Sequence, residues 1–89
     1  MKSVDREKIE SLMRANRFDN AIEACHEILR EQSKNVDANY YLAVCLRYSR
    51  KLMEAHDVLI KLRKIAPEHG RVHQEIGQTN LAMGNLLDA

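Results

Sequence analysis

The sequence predicts an all-α fold, a stack of antiparallel helical hairpins, and three observations support this prediction. A pattern of residues recurs with a period of 34 along the 89-residue chain. Within each segment the apolar residues are three or four positions apart, the spacing that places them on one face of an α-helix. Helix breakers are scarce, since the chain contains one proline and three glycines, and three of them punctuate the repeat: Pro67 and Gly70 between hairpins and Gly84 between two helices.

The period is clearest in a five-residue block that reads polar, apolar, any residue, acid or amide, and alanine. The block occurs at residues 17–21, 51–55 and 85–89, each 34 residues after the previous one. Repetition at such a period is typical of solenoids, whose units bury their apolar faces only against one another. We therefore expect one domain, residues 1–89, with repeats at about 2–35, 36–69 and 70–89, the last of them incomplete.

The expected helices follow from the apolar stripes and the punctuation between them. Ala55, Leu59 and Leu62 mark one stripe, and Asn35 is a plausible N-cap for the helix that follows it. Pro67 lies between the second and third repeats, and Gly84 is expected to separate two helices. The predicted helices span residues 4–15, 19–32, 36–49, 53–65 and 70–83, with a further helix beginning at 86.

Small residues recur where the two helices of a hairpin would cross. Ala21 and Ala55 lie in second helices, and Ala43 and Gly77 lie in first helices. A larger side chain at a close crossing would force the helix axes apart. A 34-residue period with these small residues, and an aromatic residue or leucine three positions before an alanine, resembles the tetratricopeptide repeat. The resemblance covers essentially the whole chain and implies a right-handed superhelical stack.

Two features depart from the family pattern. Lys8 and Ile9 stand where an apolar and a small residue are expected, so the first helix is expected to act as an N-terminal cap with looser packing. The family's tryptophan is replaced by Asp5, Asn39 and His73 in the three repeats.

Composition argues against several classes of partner. Lys and Arg number 14 against 13 Asp and Glu, and a net charge of +1 predicts no nucleic-acid partner. The longest apolar run, residues 40–46, is far shorter than a membrane span, and the N-terminus lacks a secretion signal. We therefore expect a cytoplasmic protein without membrane contact, in which Cys25 and Cys45 are reduced and buried.

The residues offer no clear chemistry for catalysis or metal binding. His69 and His73 are four positions apart, as in some helical metal sites, but no third ligand follows at a suitable spacing. No local signature surrounds a serine or cysteine nucleophile, and no glycine-rich phosphate loop is present. We expect no enzyme activity, no metal and no cofactor.

The resemblance implies that the first helices line a concave groove that binds a protein or peptide partner. All three tyrosines lie in the middle first helix, and tyrosine and arginine are enriched at binding hot spots. Packing of an individual tyrosine against the preceding hairpin is an equal alternative. The expected groove residues are Arg6, Glu10, Met13, Tyr40, Tyr41, Val44, Arg47, Tyr48, Arg71, Gln74 and Gln78.

One known function of the family can be tested against the sequence. Tetratricopeptide domains that bind the C-terminal carboxylate of chaperones use a clamp of basic and amide residues, and Arg6, Glu10, Tyr41, Arg71 and Glu75 occupy the matching positions. Because two glutamates would repel a carboxylate, the sequence predicts no binding of such a tail.

Two other functions remain open. Residues 71–77 and 81–84 resemble repeats that precede bacterial sulfotransferase domains, which implies the non-catalytic N-terminal region of a longer enzyme. Alternatively, the incomplete third repeat leaves Ile76 without a covering helix, so another copy of the chain would cover it and form a homo-oligomer.

Overall fold

The computed structural model describes the backbone of residues 2–88 and the side chains of residues 2–84. Over this range the chain is all-helical and has no strand, as predicted. The first four helices begin and end within one residue of their predicted limits. The helices are α1 (Ser3–Arg14), α2 (Phe18–Glu31), α3 (Val36–Tyr48), α4 (Leu52–Ile65) and α5 (Gly70–Asp88).

Each helix packs against the next one in the chain, and α3 also contacts α5. Helices α1 and α2 form the first hairpin, α3 and α4 form the second, and α5 begins the third, which is the predicted α-solenoid. Ala21, Ala43 and Ala55 are completely buried, as expected for residues at close helix crossings.

Gly77 does not play the role predicted for it. A Cβ atom added at Gly77 would meet nothing within 4 Å, and the residue is exposed. Its equivalent in the second hairpin, Ala43, is covered by α4, whereas within the described residues no helix that follows α5 packs back on it. The close crossing that would require a small residue is therefore absent at this position.

The two hairpin turns share one backbone structure. Asn16 and Arg50 have positive φ angles of 59° and 65°. In the first turn the Arg17 N–H donates to the Leu12 carbonyl at 2.8 Å, and in the second the Lys51 N–H donates to the Leu46 carbonyl at 2.9 Å. This arrangement is the Schellman ending of a helix, in which a left-handed residue lets the last carbonyls be satisfied.

The predicted break at Gly84 is wrong, because α5 continues through it to Asp88. Gly84 is 34 residues after Arg50 and thus occupies the left-handed position of the turn, yet no glycine here has a positive φ. A single glycine weakens a helix by only about 1 kcal/mol, so the turn also needs a following helix that packs back. The side chains of residues 85–89, the third copy of the five-residue block, lie outside the described residues.

The first of two buried apolar clusters joins the first hairpin to α3 and the start of α4. It includes the fully buried Ile9, while Lys8 is exposed, and the looser packing expected of α1 stays a prediction. Its buried members are Ile9, Ala21, Ile22, Ala24, Cys25, Leu42, Cys45, Leu46 and Ala55. The second cluster, between the second hairpin and α5, is smaller and contains Ala43, Leu59, Leu62 and Val72.

Asn39 and His73 stand where the family pattern has tryptophan, and each hydrogen-bonds a backbone carbonyl of the loop that precedes its helix. Asn39, only 1% exposed, donates through Nδ2 to the Ser33 carbonyl at 3.1 Å. Exactly one repeat later, His73 Nε2 lies 3.0 Å from the Pro67 carbonyl, and since a carbonyl can only accept, Nε2 carries the hydrogen. Asn35 caps α3 as predicted, with its Oδ1 accepting from the Ala38 N–H at 2.9 Å.

Candidate partner-binding surface

The surface predicted to bind a partner is carried by α1, α3 and α5, the first helices of the successive hairpins. Its residues recur at intervals of three, four and seven within each helix, so each set lies along one helix face. Arg6, Tyr48, Arg71, Gln74 and Gln78 are exposed, and Glu10, Met13, Tyr40, Tyr41 and Arg47 are partly buried. We call the surface formed by these side chains the concave face.

Val44 differs from the other predicted residues because it is only 7% exposed. Its side chain therefore supports the surface from beneath instead of presenting area to a partner. The sequence could not distinguish these roles, because Val44 follows Tyr40 by four positions and so shares its helix face.

Ion pairs connect the first helices of neighbouring repeats. Arg6 on α1 contacts Asp37 on α3 at 2.6 Å, with the two side chains 47% and 48% exposed. Arg47 on α3 contacts Glu75 on α5 through two bonds, Nε to Oε2 at 2.8 Å and Nη2 to Oε1 at 3.4 Å. The side chains of this second pair are only 20% and 12% exposed. Hydrogen bonding to Glu75 raises the pKa of the Arg47 guanidinium, so Arg47 is charged at neutral pH.

Tyr40 and Tyr41 each pack partly against the apolar core. Tyr41 packs against the first apolar cluster and Tyr40 against the second, and their rings meet edge to face with centroids 6.0 Å apart. The Tyr40 ring also stacks on His69, with centroids 5.7 Å apart. Burial raises the pKa of both hydroxyls, and the carboxylates of Glu75 and Glu10 raise the pKa of Tyr40 and Tyr41 further. Both therefore remain neutral hydrogen-bonding groups at physiological pH.

Tyr48 is the most exposed of the three tyrosines, yet two contacts hold its ring in place. It is 55% exposed, and it stacks on Phe18 with centroids 5.2 Å apart and planes 11° apart. The Arg47 guanidinium lies 4.7 Å from the same ring centroid, a cation–π contact. Phe18, Tyr48, Arg47 and Glu75 thus form a continuous chain of contacts from α2 through α3 to α5.

Phe18 was missed by the sequence analysis, because under the 34-residue shift it matches Leu52 and so reads as a core position. Leu52 is 4% exposed, whereas Phe18 is partly buried and supports Tyr48. Asp37 was also missed, and the available signal was its position three residues before Tyr40, on the same helix face.

One surface depression lies away from the concave face. It measures about 560 Å³ and is formed by the start of α1 and the end of α2, with lining residues Lys2, Val4, Asp5, Glu27, Ile28, Glu31 and Gln32. One repeat later, Glu31 corresponds to the partly buried Ile65 and Lys8 to the buried Leu42. Charged residues at these positions give the first hairpin a polar outer face.

The histidines considered as metal ligands have separate partners, Tyr40 for His69 and the Pro67 carbonyl for His73. Within the described residues no three His, Cys, Asp or Glu side chains are grouped so as to hold a metal ion. Cys25 and Cys45 are buried and free, and burial raises the pKa of their thiols to about 12 and about 11. Such thiols are poor nucleophiles at neutral pH.

Comparison with known proteins agrees with the repeat geometry. The family model described as tetratricopeptide repeat matches residues 12–76. The chain therefore belongs to the tetratricopeptide-repeat family, whose members are generally non-catalytic modules of protein interaction. No curated protein and no solved structure matches the chain. The resemblance to repeats ahead of sulfotransferase domains stays a prediction.

Among the described helices none has the length and apolar character required to cross a bilayer.

Proposed function

We propose that this chain binds a partner protein through the concave face of α1, α3 and α5. The observation that carries this proposal is the side-chain network around Tyr48. An aromatic side chain that is exposed and already ordered loses little conformational entropy when a partner covers it. Phe18 and Arg47 order Tyr48 in this way, while 55% of its surface remains open.

The charges of the concave face also restrict the partner. Arg6 and Arg47 are each paired with a carboxylate of the neighbouring repeat. An acidic ligand would have to displace a carboxylate to reach Arg6 or Arg47, so near these two residues the face favours a segment that binds mainly by apolar and hydrogen-bonding contacts. An extended peptide and a helix both satisfy this requirement.

The proposal is tested by selecting peptides that bind the immobilised chain from a random display library and measuring their affinities for variants. Tyr48→Ala is expected to weaken such peptides by about tenfold or more, as for a hot-spot residue. Met53→Ala is the matched control, since Met53 is 69% exposed but lies on α4. Circular dichroism establishes that each variant is folded. Undiminished binding to Tyr48→Ala, Tyr40→Ala and Tyr41→Ala would remove the concave face as the binding site.

Self-association is a second candidate, and the open side of α5 favours it. His73, Gly77 and Asn80 are exposed, whereas their equivalents Asn39, Ala43 and Leu46 are buried. Leu81, also on α5, is 65% exposed. In a symmetric dimer, α5 of one copy would cover α5 of the other around the two Gly77 residues.

Sedimentation velocity over a range of concentrations tests this second candidate. Self-association predicts a concentration-dependent sedimentation coefficient that Leu81→Arg abolishes. A single monomeric species at every concentration would exclude it.

A further inference from the structure

The two hairpin turns bring unpaired positive charge to one edge of the stack. The end of α1 and its turn carry Arg14 and Arg17, and the turn after α3 carries Arg50 and Lys51. All four side chains are exposed, and no carboxylate within residues 2–84 forms an ion pair with any of them. The arginines Arg6 and Arg47 of the concave face, in contrast, are both paired. We call the surface of residues 14–18 and 47–51 the turn edge.

An aromatic pair lies in the middle of the turn edge. Phe18 begins α2 and Tyr48 ends α3, so their stacking brings the two turns together. A depression of about 330 Å³ adjoins Phe18, lined by Asn16, Arg17, Phe18, Asp19 and Asn20. The stacked rings and the depression offer a site for one apolar or aromatic side chain, with Arg17 lining the depression and Arg47 beside the Tyr48 ring.

The backbone at Arg50 is a second and independent observation. Its φ of 65° is unfavourable for a residue with a side chain, and the equivalent position of the third repeat, Gly84, carries the residue best suited to that conformation. The turn needs only a left-handed residue, so an arginine contributes nothing to it that glycine would not. Strain retained in this way indicates that the side chain has another use.

We propose that the turn edge binds an acidic peptide segment that carries an aromatic side chain. The aromatic side chain stacks at Phe18 and Tyr48, and the carboxylates pair with Arg17, Arg50 and Lys51. This inference rests on the proposed function as a protein-binding module and extends the partner's path from the concave face, at Tyr48, onto the turn edge.

A peptide fits the turn edge better than a nucleic acid does. Asp19 and Glu54 lie in the first turns of α2 and α4, next to the cations. The phosphates of a nucleic-acid backbone would be repelled by both carboxylates, whereas a peptide can place neutral residues opposite them. The net charge of +1 also provides no long-range attraction for a polyanion.

The test uses a fluorescein-labelled peptide of alternating Asp and Glu with one central Phe, amidated at its C-terminus so that no terminal carboxylate is present. Fluorescence anisotropy measures its affinity for the chain. Arg50→Gly is expected to weaken binding about threefold, the loss of one exposed ion pair, and the double variant with Arg17→Ala about tenfold. Replacing the peptide's Phe with Ala is expected to cost about tenfold as well.

Arg50→Gly also separates binding from folding. Because glycine relieves the left-handed strain, the thermal midpoint of this variant should be unchanged or higher, while its affinity falls. Arg30→Ala is the matched control: Arg30 is an exposed arginine in the last turn of α2, at the opposite end of that helix, and its loss should leave the affinity unchanged.

Several outcomes would overturn the proposal. The first is that Arg50→Gly and the unmodified chain bind the acidic peptide with equal affinity. The second is that the unmodified chain binds a matched peptide of Asn and Gln as tightly as the acidic one. The third is that it binds a single-stranded oligonucleotide more tightly than the acidic peptide and that Arg50→Gly weakens this binding. The peptides selected from the display library test the proposed function separately from the turn edge. If Tyr41→Ala weakens those peptides but the acidic peptide fails to bind, the concave face stands and the turn edge does not.

Discussion

The stack has two junctions between repeats, and they are held together by different means. At the first junction, where the first hairpin meets α3, Ile9, Cys25 and Cys45 are completely buried, and the ion pair of Arg6 and Asp37 is about half exposed. At the second junction, where the second hairpin meets α5, the apolar cluster is smaller and the ion pair of Arg47 and Glu75 is largely buried. Apolar burial and charge pairing thus vary in opposite directions along one solenoid.

This difference shows that equivalent positions of a repeat need not supply equivalent stability. A half-exposed ion pair adds little because water screens it, whereas a largely buried bidentate pair cannot lose one partner without leaving a desolvated charge. The second junction therefore depends on a few contacts, each of which matters more. Three predictions test this contrast, beginning with the largest expected effect.

The Leu59→Ala substitution removes a completely buried side chain that packs with Val72 of α5. We expect the free energy of unfolding to fall by about 2–5 kcal/mol, because the cavity cannot close fully. Native-state hydrogen exchange should show the α5 amides losing protection before those of α3. Met53→Ala on the same helix, at a residue 69% exposed, is the control and should change stability by less than about 0.5 kcal/mol. Equal loss of protection in both helices would show that the second junction is no weaker than the first.

Alkaline pH should destabilise the first junction, which contains both thiols. Burial raises the pKa of Cys25 to about 12 and of Cys45 to about 11, from an ordinary value of 9.0. The unfolded chain therefore releases these protons first, and stability that is complete below pH 9 is lost as the pH rises toward 12. Between about pH 8 and pH 10 we expect a loss of about 1–3 kcal/mol in urea unfolding.

The double variant Cys25→Ala, Cys45→Ala is the control for the alkaline loss. Its slope with pH should be smaller and should retain only the part due to tyrosines, since burial also raises the pKa of Tyr40 and Tyr41. An unchanged slope would assign the alkaline loss to groups other than the thiols.

The two ion pairs can be compared through matched amide substitutions. Glu75→Gln should lower the free energy of unfolding by about 1–2 kcal/mol, because Arg47 would remain largely buried without a counter-charge. Asp37→Asn should lower it by less than about 1 kcal/mol, since both side chains of its pair are about half exposed. Urea unfolding at low salt and at about 1 M NaCl measures both, and the effect of Asp37→Asn should disappear at high salt. Equal effects of the two substitutions would contradict the contrast between the junctions.

Much of the fold could be predicted because repetition exposes it in the sequence. The small residues Ala21, Ala43 and Ala55 and the limits of the first four helices follow from the 34-residue shift and from helical periodicity. The turn conformation at Arg50 was harder to predict from the sequence, since arginine does not indicate a left-handed backbone. Its equivalence to Asn16 and Gly84, residue types that adopt this conformation readily, was the signal available.

The candidate surface could be predicted only in outline. Periodicity assigns Val44 and Tyr40 to the same helix face, but it does not show that Val44 lies beneath the surface. The ion pair of Arg47 with Glu75 and the stack of Tyr48 on Phe18 join residues of different repeats. Such contacts depend on the offset between neighbouring hairpins, which one repeat's pattern does not contain.

The bonds from Asn39 to Ser33 and from His73 to Pro67 have a consequence for recognising divergent repeats. An amide and an imidazole, unlike in size and shape, satisfy the same backbone oxygen six residues earlier in the chain. In the second and third repeats this position thus carries an N–H donor of suitable reach, a group that the indole of tryptophan also possesses. Repeats that lack the family's tryptophan can therefore be aligned at this position by the presence of a side-chain N–H donor, even where the residue type differs.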